Sequence, residues 1–120
     1  MQKKVLFIDD EPDILEAVKI ILEDQNFKVK TMSDLTSLKE VDNFAPDLIL
    51  LDILLAGRDA KKISRSLKEN KKTSDVPVII LSANPMSKLK IFARECGAAS
   101  YLQKPFDMDV LAATVKKFIK

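Results

Sequence analysis

Short apolar runs that each stop at a polar residue constrain the fold of this chain more than any other feature. The runs cover residues 5–8, 48–51 and 76–81, and they are followed by Asp9 and Asp10, by Asp52 and by Ser82, respectively. In the first two runs no polar residue interrupts the apolar ones, which is typical of strands buried on both faces. Such strands occur in parallel sheets that helices cover on both sides, so an α/β fold is predicted.

Longer segments with the apolar spacing of helices alternate with these strands. Predicted helices cover residues 12–24, 35–44, 60–70, 86–96 and 108–119, and further strands cover residues 28–32 and 101–103. Asn26 and Gly97 suit the left-handed residue that often ends a helix, and Asp107 suits the cap that begins one. Five strand–helix units predict a single domain, residues 1–120, with a five-stranded parallel sheet between two helix layers, because parallel strands need crossover connections.

The residue types that the chain lacks exclude several classes of function. It has no histidine and one cysteine, so histidine-dependent catalysis, zinc–histidine sites and a disulfide framework are excluded. The net charge of +2 gives no overall basic or acidic character, which argues against direct binding of nucleic acid. No apolar run approaches the ~20 residues that span a bilayer, and no signal-peptide cleavage site follows the N-terminus. A soluble protein of the cytoplasm, not bound to a membrane, is predicted.

The polar residues after the predicted strands are the candidates for a functional site. The carboxyl ends of parallel strands meet at one edge of a sheet, so five residues are expected to converge there: Asp9, Asp10, Asp52, Ser82 and Lys104. Two carboxylates about 4 Å apart repel each other by about 4 kcal/mol at an effective dielectric constant of about 20, so the cluster needs cations. Lys104 supplies one positive charge, and Mg²⁺, which prefers carboxylate and phosphate oxygens, suits the remaining excess of acid.

This set of side chains also suggests a reaction. Because the chain has no histidine and no glycine-rich phosphate loop, a carboxylate is the expected phosphoryl acceptor, and aspartate is a known nucleophile in phosphoryl transfer. Ser82 and Lys104 would bind phosphoryl oxygens, and Mg²⁺ would neutralise the charge that develops on them.

Four segments in combination resemble the receiver domain of the two-component response regulators: VLFIDDEPDI, DLILLDILLAGRDA, VIILSA and GAASYLQKPF. They occur in the family's order and at its usual separations, and the resemblance covers essentially all of the chain. It implies the flavodoxin-like doubly wound fold with the strand order 2-1-3-4-5. It also implies phosphorelay signal transduction, in which a histidine kinase or a histidine phosphotransfer protein donates the phosphoryl group.

The resemblance implies roles for the matching residues. Asp52 would be the phosphoacceptor, and Lys104 would bind phosphate, held by a Lys–Pro bond that the family usually keeps cis. Asp10 would be a direct Mg²⁺ ligand, Asp9 would act largely through water, and the backbone carbonyl of Leu54 would be a further ligand. The domain would catalyse its own phosphorylation and dephosphorylation without being an enzyme that turns over a separate substrate.

A switch is implied as well. The phosphoryl group would draw the hydroxyl of Ser82 towards it, and the ring of Tyr101 would turn into the space that opens. The face formed by the fourth helix, fifth strand and fifth helix would then bind a downstream protein or an output domain, or form a dimer on phosphorylation. Two residues depart from the common family pattern, because Ala56 stands where proline is frequent and Ala60 where glycine is frequent. The resemblance therefore does not determine the path of the loop after Asp52 or the start of the third helix.

Three other functions fit parts of the pattern. An aspartyl-phosphate hydrolase would have its nucleophile after the first strand, but residues 9–12 lack the small or hydroxyl residues it expects, and Asp52 would have no role. A flavodoxin-like nucleotide binder would need a phosphate loop rich in Ser, Thr or Gly after a strand, and the sequence has none. A protein-interaction module on the same fold that is never phosphorylated stays an alternative, although it would need neither lysine nor serine in the pocket.

A basic stripe on the predicted third helix has two interpretations. It lies opposite the apolar side of the helix and consists of Lys61, Arg65, Lys68 and Lys72. Such a stripe is typical of a solvated face, and it also suits a docking surface for an acidic partner.

Overall fold

The computed structural model describes residues 2–35, 37–52, 60–83 and 85–119, and within them strands alternate with helices. The strands are β1 (Lys4–Ile8), β2 (Lys28–Met32), β3 (Leu48–Asp52), β4 (Val78–Ser82) and β5 (Ser100–Gln103). The helices are α1 (Pro12–Asp24), α2 (Leu38–Phe44), α3 (Ala60–Glu69), α4 (Met86–Glu95) and α5 (Met108–Phe118). None of the helices in these described ranges is long and apolar enough to cross a membrane. The predicted α/β class with five strand–helix units is confirmed.

The strands form one parallel sheet in the order β2-β1-β3-β4-β5, as the resemblance implied. Every residue of β3 and β4 is buried, as expected of strands that are covered on both faces. The register keeps the carboxyl ends of neighbouring strands level, with Ile8 opposite Leu51, Asp52 opposite Leu81, and Ser82 opposite Gln103. Residues at or just after these ends therefore lie at one edge of the sheet.

Alternate side chains of each strand point into two cores, one on either face of the sheet. The first core contains strand residues such as Leu6, Ile8 and Ile49, and it is closed by α2, α3 and α4 through Val41, Leu67 and Leu89. The second contains Val5, Phe7 and Leu50, and it is closed by α1 and α5 through Leu22 and Leu111. Full burial of one such aliphatic side chain stabilises the fold by about 2 kcal/mol. Because the buried side chains of the helices pack with those of the strands, the sheet holds both layers of helices in place.

Two elements begin later than predicted. The second helix begins at Leu38 and not at residue 35, because the hydroxyl of Ser37 accepts a hydrogen bond from the backbone N–H of Glu40 at 3.4 Å and caps the helix there. The Ser-x-x-Glu pattern of a capping box was present in the sequence and signals this start. Strand β4 begins at Val78 and not at residue 76, because Pro77 has no N–H to offer a neighbouring strand.

The residues predicted to begin or end helices are confirmed at three positions. The carboxylate of Asp107 accepts a hydrogen bond from the backbone N–H of Asp109 at 2.8 Å and caps α5. Asn26 and Gly97 adopt left-handed conformations after α1 and α4, with φ of 71° and 68°. Ala45, after α2, also has a positive φ of 54°. This could not be predicted from the sequence, because alanine rarely adopts this conformation.

Candidate functional site

The carboxyl edge of the sheet carries the five polar residues that the sequence placed there. Asp9 and Asp10 follow β1, Asp52 and Ser82 are the last residues of β3 and β4, and Lys104 follows β5. These four strands are consecutive in the sheet, so their carboxyl ends stand side by side. Asp9, Asp52 and Ser82 are fully buried, whereas Asp10 is half-buried.

Lys104 connects two of the carboxylates. Its Nζ lies 2.9 Å from Oδ2 of Asp52 and 3.1 Å from Oδ2 of Asp9. The lysine side chain is 12% exposed, so both ion pairs are shielded from water. Its backbone N–H donates to the carbonyl of Ser82 at 2.6 Å, and the Lys104–Pro105 peptide bond is cis, as the resemblance implied. The ammonium group is thereby fixed between the carboxylates that follow β1 and end β3.

The three aspartates form a set that could hold a metal ion. One carboxylate oxygen from each of Asp9, Asp10 and Asp52 lies within 4.8 Å of the other two. Asp9 is held on both sides, because its N–H donates to the carbonyl of Met32 and its Oδ1 accepts from the N–H of Glu11, both at 3.0 Å. Mg²⁺ binds hard oxygen donors, usually through one or two carboxylates with water in the other positions. The donor set therefore fits the cation that the sequence suggested.

Burial and neighbouring charges shift the pKa of two groups in the site. Loss of water raises the pKa of Asp9 to about 6; the N–H of Glu11 opposes this rise, the charge of Asp52 adds to it, and Lys104 opposes it. Burial lowers the pKa of the Lys104 ammonium, but its hydrogen bond to Asp52 and the charges of Asp52 and Asp9 outweigh burial and raise the pKa overall. One fixed cation therefore faces three carboxyl groups, and the excess of acid favours a further cation.

The two residues assigned to the switch lie on neighbouring strands. Ser82 ends β4, and Tyr101 lies in β5 opposite Ile80. The ring of Tyr101 is half-buried and packs against the core that α3 and α4 cover. Leu54, whose carbonyl was assigned to the metal, and Ala56 lie outside the described residues.

Glu11 and a neighbouring cavity were not assigned a role from the sequence. Oε1 of Glu11 lies 3.5 Å from Nζ of Lys104, and the glutamate side chain is 58% exposed, so this ion pair is the weakest of the three. Beside it lies a cavity of about 350 Å³ with a mainly apolar lining that includes Ile14, Phe106 and Met108. The run of acids placed Glu11 near the site, but the direction of its side chain depends on how α1 packs, which the run does not determine.

Known proteins resemble this chain along almost its full length. The sequence model of the family described as the response regulator receiver domain matches residues 5–116. The transcriptional regulatory protein CseB of Streptomyces coelicolor is 38% identical over 120 residues, which are 99% of this chain and 50% of CseB. This chain therefore spans about half the length of that curated relative.

Solved structures show the same fold. The chemotaxis response regulator CheY4 of Vibrio cholerae has a TM-score of 0.90 at 22% identity, with 99% of this chain and 100% of CheY4 covered. The receiver domain of the sensor histidine kinase PA1611 from Pseudomonas aeruginosa has a TM-score of 0.86 at 22% identity, with 98% of both chains covered. A magnesium ion is coordinated in the active site cleft of that PA1611 domain. At these identities the likeness concerns the fold, which agrees with the flavodoxin-like topology.

Proposed function

We propose that this chain, which belongs to the response regulator receiver domain family, accepts a phosphoryl group on Asp52 in two-component signalling. One observation carries the proposal: Nζ of Lys104 lies 2.9 Å from Asp52 and 3.1 Å from Asp9, at the edge where the aspartates converge. A buried carboxylate held in this way is oriented before the donor arrives. The same ammonium is close enough to meet the oxygens of an incoming phosphoryl group.

The transfer requires an attacking oxygen, a leaving group and compensation of charge. A carboxylate oxygen of Asp52 attacks the phosphorus of a phosphohistidine, so that an O–P bond forms while the N–P bond of the donor breaks. The imidazole nitrogen keeps the electron pair of the broken bond. Lys104 compensates charge on the phosphoryl oxygens, and the hydroxyl of Ser82 donates a hydrogen bond to one of them. Water later attacks the phosphorus of the acyl phosphate, the O–P bond to Asp52 breaks, and inorganic phosphate leaves, which restores the carboxylate. The domain would thus catalyse its own phosphorylation and dephosphorylation.

The metal belongs to the same proposal. Asp10 and Asp52 are assigned as direct ligands, Asp9 as a residue that acts largely through water, and the carbonyl of Leu54 as a further ligand. When bound, Mg²⁺ neutralises negative charge on the phosphoryl oxygens. The three carboxylates within 4.8 Å support this assignment, and the magnesium ion of the PA1611 domain is a precedent on the same fold.

The donor and the recipient of the signal are proteins. A histidine kinase or a histidine phosphotransfer protein supplies the phosphoryl group, and the mainly apolar cavity of about 350 Å³ beside Lys104 offers it a contact surface next to Asp52. The phosphorylated domain acts on a downstream protein or an output domain through the face of α4, β5 and α5, and the same face could form a dimer on phosphorylation.

Intact-mass measurement after incubation with acetyl phosphate and Mg²⁺ tests the acceptor. We expect the wild type to gain the mass of one phosphoryl group, and we expect Asp52→Asn to gain none. Asp75→Asn, which changes an exposed aspartate in the turn before β4, is the matched control and should behave as the wild type. A gain that survives Asp52→Asn would overturn the acceptor assignment. No gain in the wild type, together with no Mg²⁺ binding, would favour an interaction module that is never phosphorylated.

Asp10 is expected to matter for the metal more than for folding. Removing one acid from a repelling cluster relieves repulsion, so Asp10→Ala should leave the stability of the metal-free domain unchanged or raise it. The same change should weaken Mg²⁺ binding by about tenfold or more. Thermal unfolding over a range of Mg²⁺ concentrations measures both effects. A loss of more than about 1 kcal/mol in the metal-free domain would show that Asp10 mainly supports the start of α1.

A further inference from the structure

A basic groove lies between α3 and the end of α4, away from the site at Asp52. One wall is formed by Lys61, Arg65 and Lys68 of α3, and the other by residues 94–97 at the end of α4, around a cavity of about 400 Å³. The residues that line this basic groove take no part in the ion pairs of Lys104. Lys72, the fourth residue of the stripe seen in the sequence, lies beyond the end of α3 at Glu69.

Positive charge is concentrated around the basic groove. Its lining contains four Lys or Arg residues and one acid, Glu95. A solvated helix face would spread these charges over a convex surface. Here the cationic side chains border a depression instead, where the potentials of several charges add together.

The basic groove is formed before any ligand binds. The hydroxyl of Ser64 in α3 donates to the carbonyl of Cys96 at 3.1 Å and holds the end of α4 against α3. Nζ of Lys61 lies 2.9 Å from Oε2 of Glu95 and 5.5 Å from the centre of the Phe92 ring, which joins the two walls. Nζ of Lys68 donates to the carbonyl of Val76 at 3.1 Å. These contacts hold the two walls of the groove together before a ligand binds, which reduces the entropy cost of binding.

The two arginines stand on opposite walls. Arg65 lies on α3 and Arg94 on α4, and both are exposed. Neither has an ion-pair partner among the described residues. A guanidinium group binds a carboxylate through two parallel hydrogen bonds, so a pair of them across a groove suits a ligand with two or more carboxylates.

Other features of the basic groove favour a peptide over a dense polyanion. Glu95, at the end of α4, places a negatively charged carboxylate among the cations of the lining. A peptide has N–H groups that can donate to this carboxylate, whereas a phosphate-rich ligand has none. A flat lipid surface could not reach the bottom of a concave groove. The arrangement of cations around acceptors therefore matches a chain that carries both carboxylates and N–H donors.

We propose that the basic groove binds an extended acidic segment of a partner protein, with Arg65 and Arg94 each pairing with a carboxylate. This docking surface lies on the face of the sheet that α3 and α4 cover, and its lining contains none of the residues assigned to phosphoryl transfer. A partner could thus bind the domain whether or not the site carries a phosphoryl group.

NMR titration of the full chain tests the proposal, with a blocked peptide of about ten residues in which Glu alternates with Ala as the probe. We expect amide shifts at residues 61–69 and 94–97. Arg65→Gln combined with Arg94→Gln should weaken binding about fivefold, which corresponds to about 1 kcal/mol. Lys116→Gln combined with Lys117→Gln removes the same charge from exposed positions on α5 and should leave the affinity unchanged. Wild type and Asp52→Asn should bind equally, so the result does not depend on the phosphoacceptor.

Several outcomes would overturn the proposal. One is an equal loss of affinity in the variant with Lys116→Gln and Lys117→Gln, which would show that binding depends only on the net charge of the domain. Another is an equal affinity for the matched peptide with Gln in place of Glu. Tighter binding of tripolyphosphate, single-stranded DNA or vesicles with phosphatidylserine to the same residues would show a general polyanion surface and not a peptide site.

Discussion

At Asp9, the demands of folding and of metal binding oppose each other. The residue is fully buried, and its carboxylate faces Asp52 as well as Lys104. Burial raises its pKa to about 6, which means that the folded chain binds a proton at this position more tightly than the unfolded chain does. The proposed role of Asp9 beside Mg²⁺, largely through water, nevertheless needs the ionised carboxylate. The metal-free domain therefore carries a destabilising charge at neutral pH.

The stability of the metal-free domain is expected to fall as the pH rises through about 6. The ordinary pKa of aspartate is about 4, so between about pH 4 and about pH 6 the folded state holds more protons, and stability decreases with rising pH. Asp9→Asn should be more stable than the wild type at about pH 7.5, and this advantage, on the order of 2 kcal/mol, should vanish near pH 4. Urea unfolding of both proteins without Mg²⁺ measures the difference.

Saturating Mg²⁺ is the control for this experiment. An ion bound beside the ionised carboxylate should remove most of the wild type's disadvantage at neutral pH while leaving Asp9→Asn less affected. If the difference between the two proteins does not change with pH, the raised pKa of Asp9 is wrong.

Lys104 should stabilise the fold far more than a surface lysine does. Lys104→Met leaves Asp9 and Asp52 buried without their shared cation, and we expect a loss of about 3 kcal/mol at neutral pH. Lys30→Met is the matched control, because its ion pair with Glu40 at 3.1 Å is partly exposed and should contribute less than about 1 kcal/mol. Chemical denaturation of both variants without Mg²⁺ is the measurement. Equal losses would show that the Lys104 pairs are solvated.

Residues of the site could be predicted where sheet geometry alone decides their position. Asp52 and Ser82 end strands, so they had to reach the carboxyl edge once the strands were recognised. The position of Glu11 beside Lys104 could not be predicted, because it depends on the angle at which α1 leaves the site. One wall of the basic groove could be predicted from the sequence, because Lys61 and Arg65 share a helical stripe. The contribution of Arg94 could not be predicted, because it depends on the packing of α4 beside α3.

At the scale of elements, the ends of helices were predictable where a side chain fits one role. Asp107 begins α5 and Gly97 follows α4, as their chemistry indicates. The start of α2 was predicted too early because apolar spacing was followed and the Ser37–Glu40 capping pattern was not. Local capping decided that boundary against the hydrophobic pattern.

The proposed switch would involve β4, β5 and α4 together. A phosphoryl group at Asp52 that draws the Ser82 hydroxyl should change the environment of Tyr101, one strand away, and of α4, which packs over the same core. We expect NMR shifts at residues 89–101 when beryllofluoride mimics the phosphoryl group. In Ser82→Ala the shifts should stay within the site.

Ser66→Ala is the control, because this serine lies on α3 and does not line the site. It should respond to beryllofluoride as the wild type does. Shifts confined to the site in the wild type itself would count against coupling between Ser82 and Tyr101.

At the scale of the whole molecule, the two cores should behave as one cooperative unit. Leu22→Ala and Leu67→Ala remove buried side chains from opposite faces of the sheet, and each should cost about 3 kcal/mol. Because β1, β3 and β4 contribute to both cores, each variant should unfold in a single transition. Far-UV circular dichroism and the fluorescence of Tyr101, the only tyrosine in a chain without tryptophan, should give the same midpoint. Separate midpoints would show that one layer of helices unfolds independently.

The positions of the site's charges along the chain have a consequence for synthesis on the ribosome. Asp9 and Asp52 emerge with β1 and β3, whereas Lys104, which pairs with both, emerges only after β5. A nascent chain that has folded its first three strands thus exposes an acidic edge that only the last strand–helix unit completes. The proposed phosphoryl site is therefore incomplete until the last strand–helix unit has been translated, so an unfinished chain should not accept a phosphoryl group.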